Sequence, residues 1–176
     1  MRVLCLALMV LGLMLASRSE GDTISVAPLQ TAVAPADESG VTRIFLEFSL
    51  ETMREGPHRY IDDAMIEWTV GGVPGGRIPE FTVQEVLEDW NGSAVGRGEE
   101  DPATGEEEAD RWTITPKMFE ATGGFVRLDV EEWVRGWAEG TRSNFGVMLA
   151  TEGVDREALV EEVSNVRLVV RYAFRD

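Results

Sequence analysis

Apolar residues recur at every second position along most of the chain. Within Thr42 to Leu50, the residues Ile44, Leu46, Phe48 and Leu50 share one face while Glu47 and Ser49 share the other, the alternation of a strand with one buried face. Ala64, Ile66, Trp68 and Val70 alternate in the same way with Met65, Glu67 and Thr69, and Val166, Leu168, Val170 and Tyr172 with Arg167, Val169 and Arg171. Shorter stretches of strand-like composition are Thr23 to Ala27, Phe81 to Leu87, Arg111 to Thr115, Phe125 to Asp129 and Asn144 to Ala150. Short strands parted by Gly- and Pro-bearing connectors predict an all-β fold, a β-sandwich in which each sheet buries its apolar face against the other. No internal repeat and no long linker divides the chain, so residues 20–176 read as a single domain.

One segment changes period. Val130, Trp133, Val134 and Trp137 are spaced i, i+3, i+4, i+7, which predicts one short helix near residues 130–139 with a single apolar stripe. Asp129 is placed to be its N-cap, Glu132 to complete a capping box, and Gly140 to supply the left-handed residue after its last turn. A tryptophan pair at helical spacing is expected to close the end of a core rather than to stack a ligand.

The N-terminus follows different rules. Arg2 precedes an apolar run from Val3 to Ala16, with small residues at Ser17, Ser19 and Gly21. The run is too short to span a bilayer and has the layout of a secretory signal. Residues 1–19 are therefore expected to be a signal peptide, cut after Ser19 or Gly21, with the remainder exported and free of any membrane span. Cys5, the only cysteine, would leave with it.

Charge and composition narrow the partners. Against 16 Lys+Arg the chain carries 32 Asp+Glu, a formal charge of -16, which repels a phosphate backbone and excludes nucleic acid. The 44% hydrophobic content and mean hydropathy of -0.10 suit a globular domain with one core. Catalytic chemistry is poorly provided for. His58 is the single histidine, and no CxxC, HExxH or GxxxxGK[ST] pattern occurs. Adjacent carboxylates such as Asp62 and Asp63, or Glu131 and Glu132, are not disposed for paired acid and base work, because neighbours on a strand point to opposite faces and neighbours on a helix do not face each other. The expectation is no enzyme and no catalytic residue.

Glu99 to Asp110 holds seven acidic residues in twelve and is the one stretch with oxygens enough to gather around Ca²⁺. It lacks the EF-hand order, and its like charges favour a solvated loop, so no cofactor is assigned. Asn91-Gly92-Ser93 forms a glycosylation sequon. Trp90, Trp112, Tyr60 and Phe119 are the aromatics that could offer a flat face to a sugar.

A set of segments carries a family resemblance. Phe125-Val-Arg-Leu-Asp-Val-Glu-Glu-Trp-Val-Arg-Gly-Trp-Ala-Glu-Gly, followed by Asn144-Phe-Gly-Val-Met-Leu, resembles the signature of the DNRLRE (disaggregatase-related) domains and of carbohydrate-binding module family 96. Arg43-Ile-Phe-Leu-Glu-Phe-Ser-Leu is similar to the early strand of that family, and Ile61-Asp-Asp-Ala-Met-Ile-Glu-Trp to the strand after it. Val83 to Trp90 is similar to the segment that ends in a tryptophan, and Arg167-Leu-Val-Val-Arg-Tyr to the terminal strand. The resemblance spans nearly all of residues 20–176, in order. It implies a jelly-roll-like β-sandwich and a secreted, non-catalytic module that binds a polysaccharide or a surface protein. It also places Trp90 in the interior, leaving Trp112 and Tyr60 as the candidate ligand-binding residues. The departures fall in loops: Ala32 to Gly40 replaces an Asn- and Gly-rich loop, Glu131 replaces a threonine, and Asn91-Gly-Ser-Ala follows Trp90. Loops carry much of a sandwich's binding, so a structural or adhesion module without a sugar site is the alternative, and a glycan-active enzyme a more distant one.

Overall fold

The structure, a computed structural model, describes residues 22–51, 59–69, 80–105, 111–115, 117, 125–154, 156, 159 and 165–174. The expected signal peptide, His58, Phe119 and the second half of the acidic stretch lie outside them.

Among the described residues nine strands build two antiparallel sheets. Sheet A has the order β1 (Thr23–Val26), β9 (Arg167–Phe174), β4 (Arg59–Thr69), β7 (Phe125–Asp129). Sheet B has the order β2 (Pro28–Val33), β3 (Val41–Phe48), β8 (Val147–Glu152), β5 (Phe81–Glu85), β6 (Arg111–Ile114). Apart from β2–β3 and β5–β6, strands consecutive in sequence lie in different sheets. That shuttling is the wrapping of a jelly-roll sandwich. It buries the inward residue of each alternation between the layers: Ile44, Leu46 and Phe48 of β3, Ala64, Ile66 and Trp68 of β4, Val126 and Leu128 of β7, Leu168, Val170 and Tyr172 of β9. Trp68 meets the Phe81 ring edge-on at 4.5 Å between centroids. Each such side chain contributes about 1.5–3 kcal/mol by leaving water.

The helix α2 (Glu131–Glu139) closes one end of this core with Trp133, Val134 and Trp137. Its C-terminus has the expected form, Gly140 at φ 73°. Its N-terminus differs from the expectation. Val130 takes the N-cap place without a side-chain bond, and the Asp129 carboxylate instead accepts the Glu131 N–H at 3.0 Å. Val130 N–H is drawn to the Ala64 carbonyl of β4 and its side chain is buried, so sheet pairing carries the chain one residue further before it coils. Glu132 turns toward Arg142, 3.6 Å away, rather than back to the helix start.

Two elements were not foreseen. Strand β2 begins with a proline and pairs only with β3 among the described residues, the position in a sheet that tolerates proline. The second is a one-and-a-half-turn helix, α1 (Gly92–Arg97), with a single buried residue, Val95. Asn91, read above within a sequon, is its N-cap, accepting from Ser93 N–H and Ala94 N–H. Two glycines and only two apolar residues, adjacent in sequence, in six positions leave α1 with no periodic signature.

The motif Asn144-Phe-Gly is structural. Asn144 donates from Nδ2 to the Phe48 carbonyl at 2.8 Å, tying the entry of β8 to the end of β3. Gly146 has φ 90°, and a Cβ there would be driven into the Leu46 carbonyl. Only glycine permits that backbone and that approach.

Candidate functional site

The two sheets differ on their outer faces. Along β3 and β8 the outward residues Phe45 and Met148 are themselves buried. The connection from Val86 to Gly105 folds back over them and brings Trp90 and Val95 down onto the sheet, with Ala32 and Ala34 completing a second apolar cluster. Trp90 stands 5.6 Å from the Phe45 ring and donates from Nε1 to the Phe145 carbonyl at 2.8 Å. It is interior, as the resemblance implied, but in this outer cluster rather than between the sheets. Arg156 pins α1 by donating to the Gly96 and Val33 carbonyls. The outer face of sheet B is thereby filled by the protein's own chain.

Sheet A's outer face is instead polar, and its rows follow from register. Thr23, Arg171 and Asp63 form one row, Ser25, Val169, Met65 and Asp129 the next, Arg167, Glu67 and Arg127 a third, and Thr69 with Phe125 a fourth. Beyond a register shift between Ile61 and Asp63, Tyr60 pairs with Ala173. Tyr60 is 40% exposed and Phe125 37%. Nine residues of β4 separate their rows, a length of about 30 Å. Arg127 lies 5.7 Å from the centre of the Phe125 ring and 2.6 Å from the Glu67 carboxylate. Arg171 is 3.8 Å from Asp63. The face thus presents rows of hydrogen-bonding guanidinium and carboxylate groups with an aromatic ring at either end.

The two candidate residues from the sequence do not meet. Tyr60 lies on β4 of sheet A, whereas Trp112 lies on β6 at the edge of sheet B, opposite Val83; the Trp112 side chain is outside the described residues. Phe125 was not singled out in advance, although the alternation of Val126 and Leu128 already sends it outward. Three of the four paired carboxylates are engaged with arginines: Asp63 with Arg171, Glu131 with Arg135, Glu132 with Arg142.

Several charged groups elsewhere are also in use. Glu85, 3% exposed, accepts from Trp137 Nε1 at 2.7 Å and from Arg142 at 2.6 Å, which satisfies a carboxylate that would otherwise be costly inside the core. Gly136 leaves room for the Arg142 stem to reach it. Of the acidic stretch, Glu99 pairs with Arg97, Glu100 accepts the Asn91 N–H and Asp101 pairs with Arg43. No cluster of three or more metal-ligating side chains occurs among the described residues. Asp37 is held down to about 2 by the Ser39 hydroxyl first, then by the Val41 and Ser39 amides and Arg43. Glu47, on the covered face of sheet B, is pushed up by burial and by the neighbouring charge of Asp89.

No protein-family model matches the chain, and no curated protein matches it in sequence.

Proposed function

We propose that this chain is a secreted, non-catalytic β-sandwich module that holds a polysaccharide along the outer face of sheet A. One observation carries the reading: among the described residues, sheet B's outer face is covered by residues 86–105, while sheet A's is uncovered and bears the exposed rings of Tyr60 and Phe125 at opposite ends of a hydrogen-bonding array. Aromatic rings stack on the apolar faces of sugars, and the polar groups between them select hydroxyls. An array about 30 Å long suits a chain of sugars better than a single one. The resemblance to DNRLRE and family 96 domains points the same way.

Affinity electrophoresis against a panel of neutral and acidic polysaccharides tests it. Retention of the wild-type chain, weakened by Tyr60→Ala and by Phe125→Ala with the melting temperature held within a few degrees, is the expected result. A second reading, a structural or adhesion module contacting a surface protein, is favoured by the Arg127–Glu67 and Arg171–Asp63 pairs, since a ligand must compete with these internal contacts. Absence of retention on every polysaccharide, with millimolar Ca²⁺ present or not, would establish that second reading over the first.

A further inference from the structure

Asn91–Gly92 is the single Asn-Gly pair in the sequence, and such a pair can modify itself with water alone. An asparagine side-chain amide is attacked by the next backbone nitrogen, and glycine offers that nitrogen no steric shield. In the reaction the Gly92 nitrogen loses its proton and bonds to Asn91 Cγ, the Cγ–Nδ2 bond breaks, and ammonia leaves. The resulting five-membered imide is then opened by water to an aspartyl or isoaspartyl residue. No oxidant, reductant or enzyme is needed. We propose that Asn91 is a deamidation site and that the folding of α1 over sheet B is its gate.

The gate is geometric. Ring closure needs Asn91 Cβ eclipsed with the Gly92 nitrogen about the Cα–C bond. Asn91 stands at φ -112° and ψ 115°, where Hα rather than Cβ lies alongside that nitrogen. Three polar groups of the residue oppose the rotation. Oδ1 accepts Ser93 N–H at 3.0 Å and Ala94 N–H at 3.1 Å, the Asn91 N–H donates to Glu100, and its carbonyl accepts Val95 N–H at 2.9 Å. On either side, Trp90 is anchored to Phe145 and Gln30, while Gly92 packs against the Gln30 side chain. Attack therefore proceeds from molecules in which α1 has come off the sheet. An aspartyl product keeps an acceptor for Ser93 and Ala94. An isoaspartyl product lengthens the main chain by a methylene and cannot.

The test follows the amide-to-acid mass gain of the peptide containing Asn91 during incubation in mildly alkaline buffer. Wild-type protein is compared with the same chain unfolded in urea and with Arg156→Ala, which removes the ties from α1 to Val33 and Gly96. The unfolded chain is expected to deamidate at Asn91, the native chain more than about tenfold more slowly, since local opening sets the rate, and Arg156→Ala at a rate between them. Asn91→Asp, folded by circular dichroism, shows that the aspartyl cap is tolerated. Equal rates in native and unfolded chains, or an Arg156→Ala rate no faster than wild type, would overturn the gate. An unfolded chain that keeps its amide would overturn the site.

Discussion

Sheets A and B are built from the same alternation and face the same core, yet among the described residues one outer surface is covered and the other is not. The difference lies in the residues between the core positions. In β3 the run Ile44-Phe45-Leu46 is apolar on both faces, as is Val147-Met148-Leu149 in β8, and both strands lie mid-sheet in B. In β9 the residues between the buried ones are Arg167, Val169 and Arg171, and in β4 they include Asp63 and Glu67. A strand apolar on both faces needs a third layer, and residues 86–105 supply it. A strand with charged outward residues is finished once its inner face is covered.

The comparison is most severely tested where sheet B's two faces share one backbone. Gly146→Ala should remove roughly 4 kcal/mol or more, because it combines a forbidden φ with a collision at the Leu46 carbonyl; urea denaturation measures it, and a loss under about 1 kcal/mol would discard the close approach. Trp90→Ala comes next. It should cost about 3 kcal/mol and make the folded protein bind a hydrophobic dye, since the cover over Phe45 and Met148 loses its main side chain. An unchanged dye signal would mean that the third layer does not depend on Trp90.

On the open face the matching change is small. Arg127→Ala, which deletes the ion pair with Glu67, should alter stability by about 0–1 kcal/mol; a larger loss would show that sheet A's outer face also carries structural load. Smallest of all are two opposed pH effects. Asp37 has a depressed folded value of about 2, so its contribution is present above the unfolded carboxylate range and is lost as pH falls from about 4. Asp37→Asn should therefore flatten the acid limb of the melting curve between those values. Glu47 has a raised folded value, so its charge opposes folding at neutral pH. Glu47→Gln should melt higher than wild type at pH 7, and the gap should close as pH falls through the raised folded value toward the ordinary glutamate value of 4.5. A melting curve in which Glu47→Gln is the less stable protein at pH 7 would reverse the assignment.

Much of the sandwich was legible in the chain because period-two patterning is local. Each of the eight strands expected from composition is present in the structure, with ends shifted by a few residues, and Trp133, Val134 and Trp137 fall on the buried side of α2 as their spacing requires. The helix start was not legible to the residue. Asp129 has the chemistry of a cap, but the pairing of β7 with β4 holds it in the sheet, and that competition is tertiary. The candidate site was less legible still. Tyr60 and Trp112 look alike in sequence, and only strand order separates them onto different sheets.

Alternation by itself determined which residues of β4 and β9 go inward, because one backbone geometry sets side chains on opposite faces whatever the strand is paired with. It also determined that the acidic excess must lie outside the core. Strand order, register and the return of residues 86–105 over sheet B were decided by the tertiary structure alone. They depend on which apolar faces find one another across long separations in sequence, and no local pattern encodes that choice. The same tertiary decision brings Glu85 together with Trp137 and Arg142, more than fifty residues away, and it leaves Tyr60 and Phe125, far apart along the chain, on one exposed face.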